Sequence, residues 1–410
     1  MGEGEVGGMG AAAVAPPSGA SPPSRARVEA ARAKVAKVLL ELNRRVVGRD
    51  LENRVILTAV VAKENVAVIG PPGTAKSYTF DVLSKLLSCT YRRYQLTRFT
   101  TDVEVIGPYD IPAFVKQGVL VRKLSQVLQA DIAYLDEAFK ASSAVLNALL
   151  SALQERVIYD PFTGQAIPVK TKVFVVTSNE VPQEEELRAL YDRFPVRIWV
   201  DYLHKTRSEE AYVAALEARW LLDSNVQPVA AWEDVEVLHS YATYVLRGMF
   251  PGKGNLRFID VYADKTMPLI SSLRAKGVVV SDRTIIEKLP KLIAARCAME
   301  GVTEEVMYNA ILDFLPFLAA DEGERRDVQK VIEDQLGEVA KLHAQLEEAR
   351  TLRRSGNLAA AAKALQELLT TDASRFKDKP FVAKRLEAIL AEARYLYEDT
   401  RKRLEELQRE

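Results

Sequence analysis

Apolar positions Val28, Val35, Val38, Leu39 and Leu42 recur at helical spacing and predict a helix over Arg25–Leu42, which runs into Val46-Val47-Gly48-Arg49 and stops at the glycine. A second helix is predicted over Leu51–Ala62, followed by a short apolar strand over Asn65–Ile69. Further strands are predicted at Arg92–Leu96, Asp131–Leu135, Lys172–Val176 and Arg197–Val200, with helical stretches between them, which is the grammar of a parallel sheet. The segment Glu155–Lys172 breaks it. There Val157-Ile158-Tyr159 and Ile167-Pro168-Val169 flank the turn formers of Asp160-Pro161-Phe162-Thr163-Gly164, and a hairpin inserted before a core strand is expected.

Most of the chain from Lys205 to about Leu318 reads as helical, a second domain. From Arg325 onward, charged residues interleave with Val328, Ile332, Leu336, Val339, Leu342 and Leu346, then with Leu358–Leu369, then with Val382, Leu386, Leu390, Ala393 and Leu396. Gly356 and Pro380 punctuate this pattern, which predicts two or three antiparallel helices in a coiled-coil-like arm, a stalk or packing element without chemistry. Residues Met1 to about Ser24 are rich in Gly, Ala, Pro and Ser and cannot bury enough apolar area to offset chain entropy. The expected division is a disordered leader at 1–25, an α/β domain at 26–205, an all-α domain at 206–320 and the helical arm at 321–410.

Composition narrows the function. The chain has 410 residues, 48% of them hydrophobic, enough for more than one core. Lys plus Arg balances Asp plus Glu at 56 each, so no overall charge argues for a polyanionic partner, and nucleic acid is disfavoured. Cys89 and Cys297 stand far apart in no metal-ligand spacing, and His204, His239 and His343 are scattered, so none is assigned chemistry. No apolar run reaches the length of a membrane span, and the first residues lack the order of a secretory signal, so a cytoplasmic protein is expected.

The candidate chemistry sits where predicted strands end. After the strand at Asn65–Ile69 comes Gly70-Pro71-Pro72-Gly73-Thr74-Ala75-Lys76-Ser77, a phosphate-binding loop in the order strand, loop, helix. Glycines let successive amides point at phosphates, Lys76 reaches the outer ones, and the Ser77 hydroxyl suits Mg2+. Ala75 stands where the general pattern has glycine, and it is expected to take right-handed backbone angles at the helix start. A second strand, Ile132-Ala133-Tyr134-Leu135, ends in Asp136 and Glu137, which places Asp136 to hold Mg2+ through water and Glu137 to orient and deprotonate an attacking water. A third, Val173-Phe174-Val175-Val176, ends in Thr177-Ser178-Asn179; Asn179 is placed to hydrogen-bond that water or the outermost phosphate, with Thr177 and Ser178 in reserve.

Taken together, Gly70–Ser77, Leu135-Asp136-Glu137-Ala138-Phe139-Lys140-Ala141 and Tyr191-Asp192-Arg193-Phe194 resemble the MoxR family of AAA+ ATPases, and within it the RavA-like branch. Leu96–Thr101, Val105–Pro108, Leu146–Arg156, Thr177–Glu180 and Val280-Ser281-Asp282-Arg283 extend the likeness over about residues 26–320. The resemblance implies a P-loop AAA+ core, an α/β fold with a parallel sheet flanked by helices, then an all-α lid before the arm. It implies a homo-oligomeric ring, usually a hexamer, that hydrolyses ATP with Mg2+ at subunit interfaces. Arg193 matches the arginine finger that reaches a neighbour's terminal phosphate, and Arg283 matches the sensor-2 arginine that closes the lid on ATP. Val46, Val47 and Gly48 resemble the stretch packed on adenine, and Tyr78 completes the ATP-binding segment after Ser77. The family's inserts, here about 100–122 and 156–170 with Phe162 at a hairpin tip, are thought to grip client proteins. A chaperone-like role in maturing a metalloenzyme or respiratory complex follows, with a von Willebrand A-domain partner. Two other readings stay open on the sequence: a nucleic-acid motor with the same inserted elements, and a nucleotide-gated scaffold with little turnover.

Overall fold

In the computed structural model, residues 22–182, 184–203, 209–222, 225–278, 280–354, 357–371 and 380–407 are described. Most of the expected leader lies outside them, as do His204 and Gly356. The chain divides into two units, Met1–Arg274 with Val279–Arg325, and Ala275–Val278 with Arg326–Glu410.

In the first unit α1 (Arg25–Arg45) and α2 (Asp50–Ala62) precede β1 (Val66–Ile69), α3 (Lys76–Leu86) and β2 (Tyr91–Gln95). Then come α4 (Asp102–Ile106), α5 (Ile111–Gln117), β3 (Ile132–Asp136), α6 (Ser143–Gln154), β4 (Val157–Tyr159), β5 (Ala166–Pro168), β6 (Val173–Ser178), α7 (Glu185–Tyr191) and β7 (Val196–Trp199). A parallel sheet runs in the order β2-β3-β6-β1-β7. Strands β1 and β6 are buried at every position and β3 at all but Asp136, so their apolar runs fit a sheet covered on both faces. Edge strand β2 instead exposes Arg92 and Arg93, charges that discourage further pairing. The register pairs Ile69 with Ser178, Leu135 with Val176 and Gln95 with Asp136. The chain therefore leaves β1 at Gly70, β3 at Glu137 and β6 at Asn179 along one edge of the sheet.

At the opposite edge a buried asparagine knots four segments together. Asn65 donates to the carbonyls of Leu153 and Arg193, each at 3.1 Å, and its Oδ1 accepts from the Phe174 amide at 3.2 Å and from Arg156 at 2.8 Å. Its whole hydrogen-bonding capacity is met, as burial requires. Asn65 thus caps the amino end of β1 and fixes the backbone of Arg193.

The segment carrying α4 and α5 and the antiparallel β4–β5 hairpin are joined through a buried ion pair. Arg122 lies 3.1 Å from Asp160, and the two side chains are 4% and 1% exposed. The Tyr109 hydroxyl donates to Asp160 at 2.7 Å, and the Arg122 guanidinium stacks 4.5 Å from the Tyr109 ring centroid. Asp160 also accepts from the amides of Phe162 and Thr163, which closes the hairpin turn. Burial raises the pKa of Asp160, but the Thr163 amide, the Tyr109 hydroxyl and the Phe162 amide outweigh it and hold the carboxyl below its ordinary value. Phe162 is 75% exposed, its ring edge-on to Tyr109.

Helices α8 (Glu209–Trp220), α9 (Trp232–Arg247), α10 (Phe258–Ala275), α11 (Leu289–Glu300) and α12 (Glu304–Phe314) follow the sheet. Their anchor is α1 and α2: Arg32 donates to the Ala298 carbonyl at 2.6 Å, Lys34 pairs with Asp234 at 3.0 Å, and His239 meets the Val61 carbonyl at 2.9 Å. Lys288 pairs with Glu64 at 3.1 Å, just before β1 begins.

The second unit is built from α13 (Glu322–Arg354) beyond Arg325, α14 (Leu358–Leu369) and α15 (Pro380–Leu407). Leu342, Leu346, Leu365, Leu368, Leu386 and Ala393 form its buried cluster, on the stripe their helical spacing defines. Arg350 pairs with Glu392 and Arg353 with Asp399 across α13 and α15.

Removing Arg122 would leave Asp160 buried without its counter-ion, a loss on the order of 3–5 kcal/mol. Arg122→Met is therefore expected to speed amide hydrogen exchange in both 109–122 and 156–170 while the strands of the parallel sheet keep their protection; unchanged exchange in either segment would contradict the coupling.

Candidate functional site

The loop after β1 is shaped by close approach. Gly70 has φ 153° and donates to the Ser178 carbonyl at 3.1 Å; a Cβ there would lie 2.0 Å from the Val200 carbonyl oxygen, so no side chain fits. The Thr74 hydroxyl ties back to the Pro71 carbonyl at 2.8 Å, leaving Pro72 and Gly73 exposed at the bend. Ala75 takes φ 58° and ψ 24°. This corrects the expectation of right-handed angles: the turn into α3 needs a left-handed residue before Lys76, and Ala75 adopts it despite its methyl group, at a cost of roughly 1 kcal/mol.

Lys76 opens α3 and folds back over the loop. Its Nζ donates to the carbonyls of Gly70 and Pro71, the latter at 2.9 Å, and to Asn179 Oδ1 at 3.4 Å. Burial lowers the Lys76 pKa, while Glu137 and Asp136 oppose that shift and Arg49 adds to it. Ser77 and Tyr78, in the first helical turn, are half-buried. Val46 is buried and Gly48 turns the chain at φ 75°, with Val47 half-buried between them; the Val46 carbonyl accepts from Asn53 at 3.1 Å. A narrow gap lined by Arg49, Asn53, Lys76, Thr79 and Val200 separates this turn from the phosphate loop.

Asp136, Glu137 and Asn179 converge on the same place. Asn179 Nδ2 donates to Glu137 Oε1 at 3.0 Å while its Oδ1 faces Lys76, so one amide bridges the acid and the loop lysine. Glu137 has φ 53°, an uncommon conformation for a side-chain-bearing residue and one that concentrates at functional sites. The Thr177 hydroxyl donates to Asp136 at 2.6 Å and accepts from the Glu137 amide at 3.4 Å, so the residue read only as a reserve holds both acids. Burial pushes the Tyr134 hydroxyl up to about 12, against opposing hydrogen bonds from Thr177 and Ser77.

Three participants were missed in the sequence. Arg93 contacts Asp136, Lys140 lies 3.2 Å from Glu137, and the Tyr134 hydroxyl sits beneath Ser77 and Thr177. Lys140 lies within the Leu135–Ala141 motif, where its spacing of three from Glu137 is a usable signal. Arg93 has none, because its contact is made across strands.

The oxygen donors Ser77 and Asp136 fit a hard divalent cation. Among the described residues no group of three or more His, Cys, Asp or Glu forms a metal cage, so such a cation would draw its other ligands from phosphate and water, as Mg2+ does.

Two arginines are not brought to this centre. The Arg193 carbonyl is held by Asn65 at the other edge of the sheet, and its Nε is buried without a hydrogen-bond partner. Arg283 is exposed, pairs with Glu287 at 3.3 Å and precedes a π-turn over Thr284–Lys288.

The family description "MoxR domain in the MoxR-vWA-beta-propeller ternary systems" matches residues 33–240. An uncharacterized protein of Methanocaldococcus jannaschii is 39% identical over 165 residues, 40% of this chain and 43% of its own length. The chain thus spans less than half of that curated relative. Chaperone MoxR1 of Mycobacterium tuberculosis is 24% identical over 335 residues, 73% of this chain and 86% of that one. The crystal structure of a candidate ATPase from Cytophaga hutchinsonii superimposes with a TM-score of 0.55 at 20% identity, over 75% of this chain and 96% of that one, which shows the fold.

Glycine at position 75 would relieve the left-handed strain but widen the unfolded ensemble. Ala75→Gly is expected to raise the unfolding free energy by up to about 1 kcal/mol in urea titration; a loss of stability would show that the turn is not strained at this residue.

Proposed function

The chain belongs to the MoxR family of AAA+ ATPases, and on that premise we propose that it hydrolyses ATP with Mg2+ and couples the hydrolysis to remodelling of a client protein. One observation carries the proposal: Asn179 joins Glu137 to Lys76 at the edge where β1, β3 and β6 end, beside Asp136 and Ser77. Lys76 turns from its own loop carbonyls to the outer phosphates when ATP enters. Ser77, and Asp136 through water, would hold Mg2+, which would offset the charge on the phosphates. Glu137 accepts the proton of the attacking water, and Asn179 keeps that carboxylate aimed. Val47, Gly48 and Tyr78 flank the base and sugar.

The proposed assembly is a homo-oligomeric ring, with six subunits as the usual number. Its support is the match of Arg193 to the family's arginine finger, with its carbonyl held by Asn65 at the sheet edge opposite the phosphate loop; Arg283, matching the sensor-2 arginine, would close the lid on ATP. In this assignment residues 26–205 are the ATPase domain, 206–320 the lid and 321–410 an arm that recruits a partner or client. The matched family occurs in MoxR-vWA-beta-propeller systems, which favours a von Willebrand A-domain partner, with maturation of a metalloenzyme or respiratory complex as the task. The RavA-like placement rests on the quoted motifs alone. Among the described residues no helix is long and apolar enough to cross a membrane, and the cytoplasm is the proposed location.

A mixing experiment tests the shared site. Arg193→Ala and Glu137→Gln are each expected to abolish turnover, and a one-to-one mixture should regain roughly a quarter of wild-type activity, since only interfaces pairing an intact Glu137 with a neighbour's Arg193 are complete. A mixture as inactive as its components would contradict catalysis across the interface.

A further inference from the structure

The carboxylate assigned to the metal already faces a cation of its own chain. Arg93, on edge strand β2, contacts Asp136 Oδ2 through Nη2, and its guanidinium lies 5.6 Å from the centroid of the Tyr134 ring. The strand register explains the reach: Arg93 lies opposite Tyr134, and Gln95 opposite Asp136. Asp136 Oδ1 is taken by the Thr177 hydroxyl at 2.6 Å. Both oxygens are therefore engaged, but the two partners differ in kind. A neutral hydroxyl can keep its hydrogen bond when a divalent cation arrives, whereas a guanidinium beside the same carboxylate repels that cation.

Exposure sets the size of this repulsion. The Arg93 side chain is 49% exposed and Asp136 is 16% exposed, so Arg93 can swing into solvent when displaced. An ion pair this open contributes little to folding. Its consequence falls on the site instead.

We propose that Arg93 is an internal competitor for the magnesium position. It neutralises Asp136 while the site holds no metal, and Mg2+ must displace it to complete the nucleotide complex. The inference rests on the reading of Asp136 as the magnesium carboxylate. Arg93 is a positioning residue, since it acts through Asp136 and touches no reacting atom.

Its strand also leads toward the insert. The Leu96 amide donates to the Asp136 carbonyl at 2.8 Å, Tyr94 on β2 donates to Glu104 at 3.1 Å, and Glu104 closes the capping box of α4 with Thr101. Release of Arg93 thus occurs on the strand that leads into the insert carrying α4.

The test uses the full chain as wild type, Arg93→Met and Arg93→Lys, with fluorescent ADP as the probe and Mg2+ titrated from a metal-free start. The half-saturating Mg2+ concentration is expected to fall about five- to tenfold in Arg93→Met, with Arg93→Lys between the two, while metal-free ADP affinity stays within about twofold. Equal Mg2+ dependence in wild type and Arg93→Met, or a higher requirement in the variant, overturns the competitor role alone. A wild type that binds no ADP at any Mg2+ concentration overturns the nucleotide-site reading as well.

Discussion

The register of three buried parallel strands, β1, β3 and β6, decides where polar chemistry can exist in this protein. Inside the sheet every side chain of β1 and β6 is shielded, so Lys76, Asp136, Glu137 and Asn179 can gather only where those strands end together. A one-residue slip of β3 against β6 would turn Asp136 to the other face and separate Thr177 from both acids. Asn65 guards the opposite edge, where it bonds four residues of three other segments and sets the backbone of Arg193. One alignment thus serves two ends: the chain's own phosphate site above, and the arginine proposed for a neighbour's site below.

Much of this was legible in the amino-acid sequence because it is local. The apolar runs marked β1, β3 and β6 and their polar last residues, and the helical stripe of Leu342, Leu346, Leu386 and Ala393 marked a buried cluster. What escaped was non-local. The strand order depends on tertiary packing: the position of β6 between β1 and β3 creates the bridging by Thr177, and the pairing of β2 with β3 sets Arg93 over Tyr134. Ala75 failed for a different reason. Its side chain favours right-handed angles, and the geometry demanded before Lys76 overrides that preference.

Two conformational costs lie at the centre itself, since Ala75 and Glu137 both hold left-handed backbones. At Ala75 the strain lets the loop turn into α3; at Glu137 it turns the carboxylate back toward Asn179. Farther out, the buried Arg122–Asp160 pair makes the insert and the hairpin one body, so that Phe162 is presented from a braced tip.

The most direct test of the account is steady-state ATP turnover, with ATP affinity measured in parallel, for the wild type and Glu137→Gln. Removing the base while keeping its size should leave ATP affinity within a few-fold and lower turnover at least a hundredfold, the scale of a lost general base. Equal turnover in the two proteins would contradict the assignment of Glu137 and, with it, the reading of this edge of the sheet as a hydrolytic site.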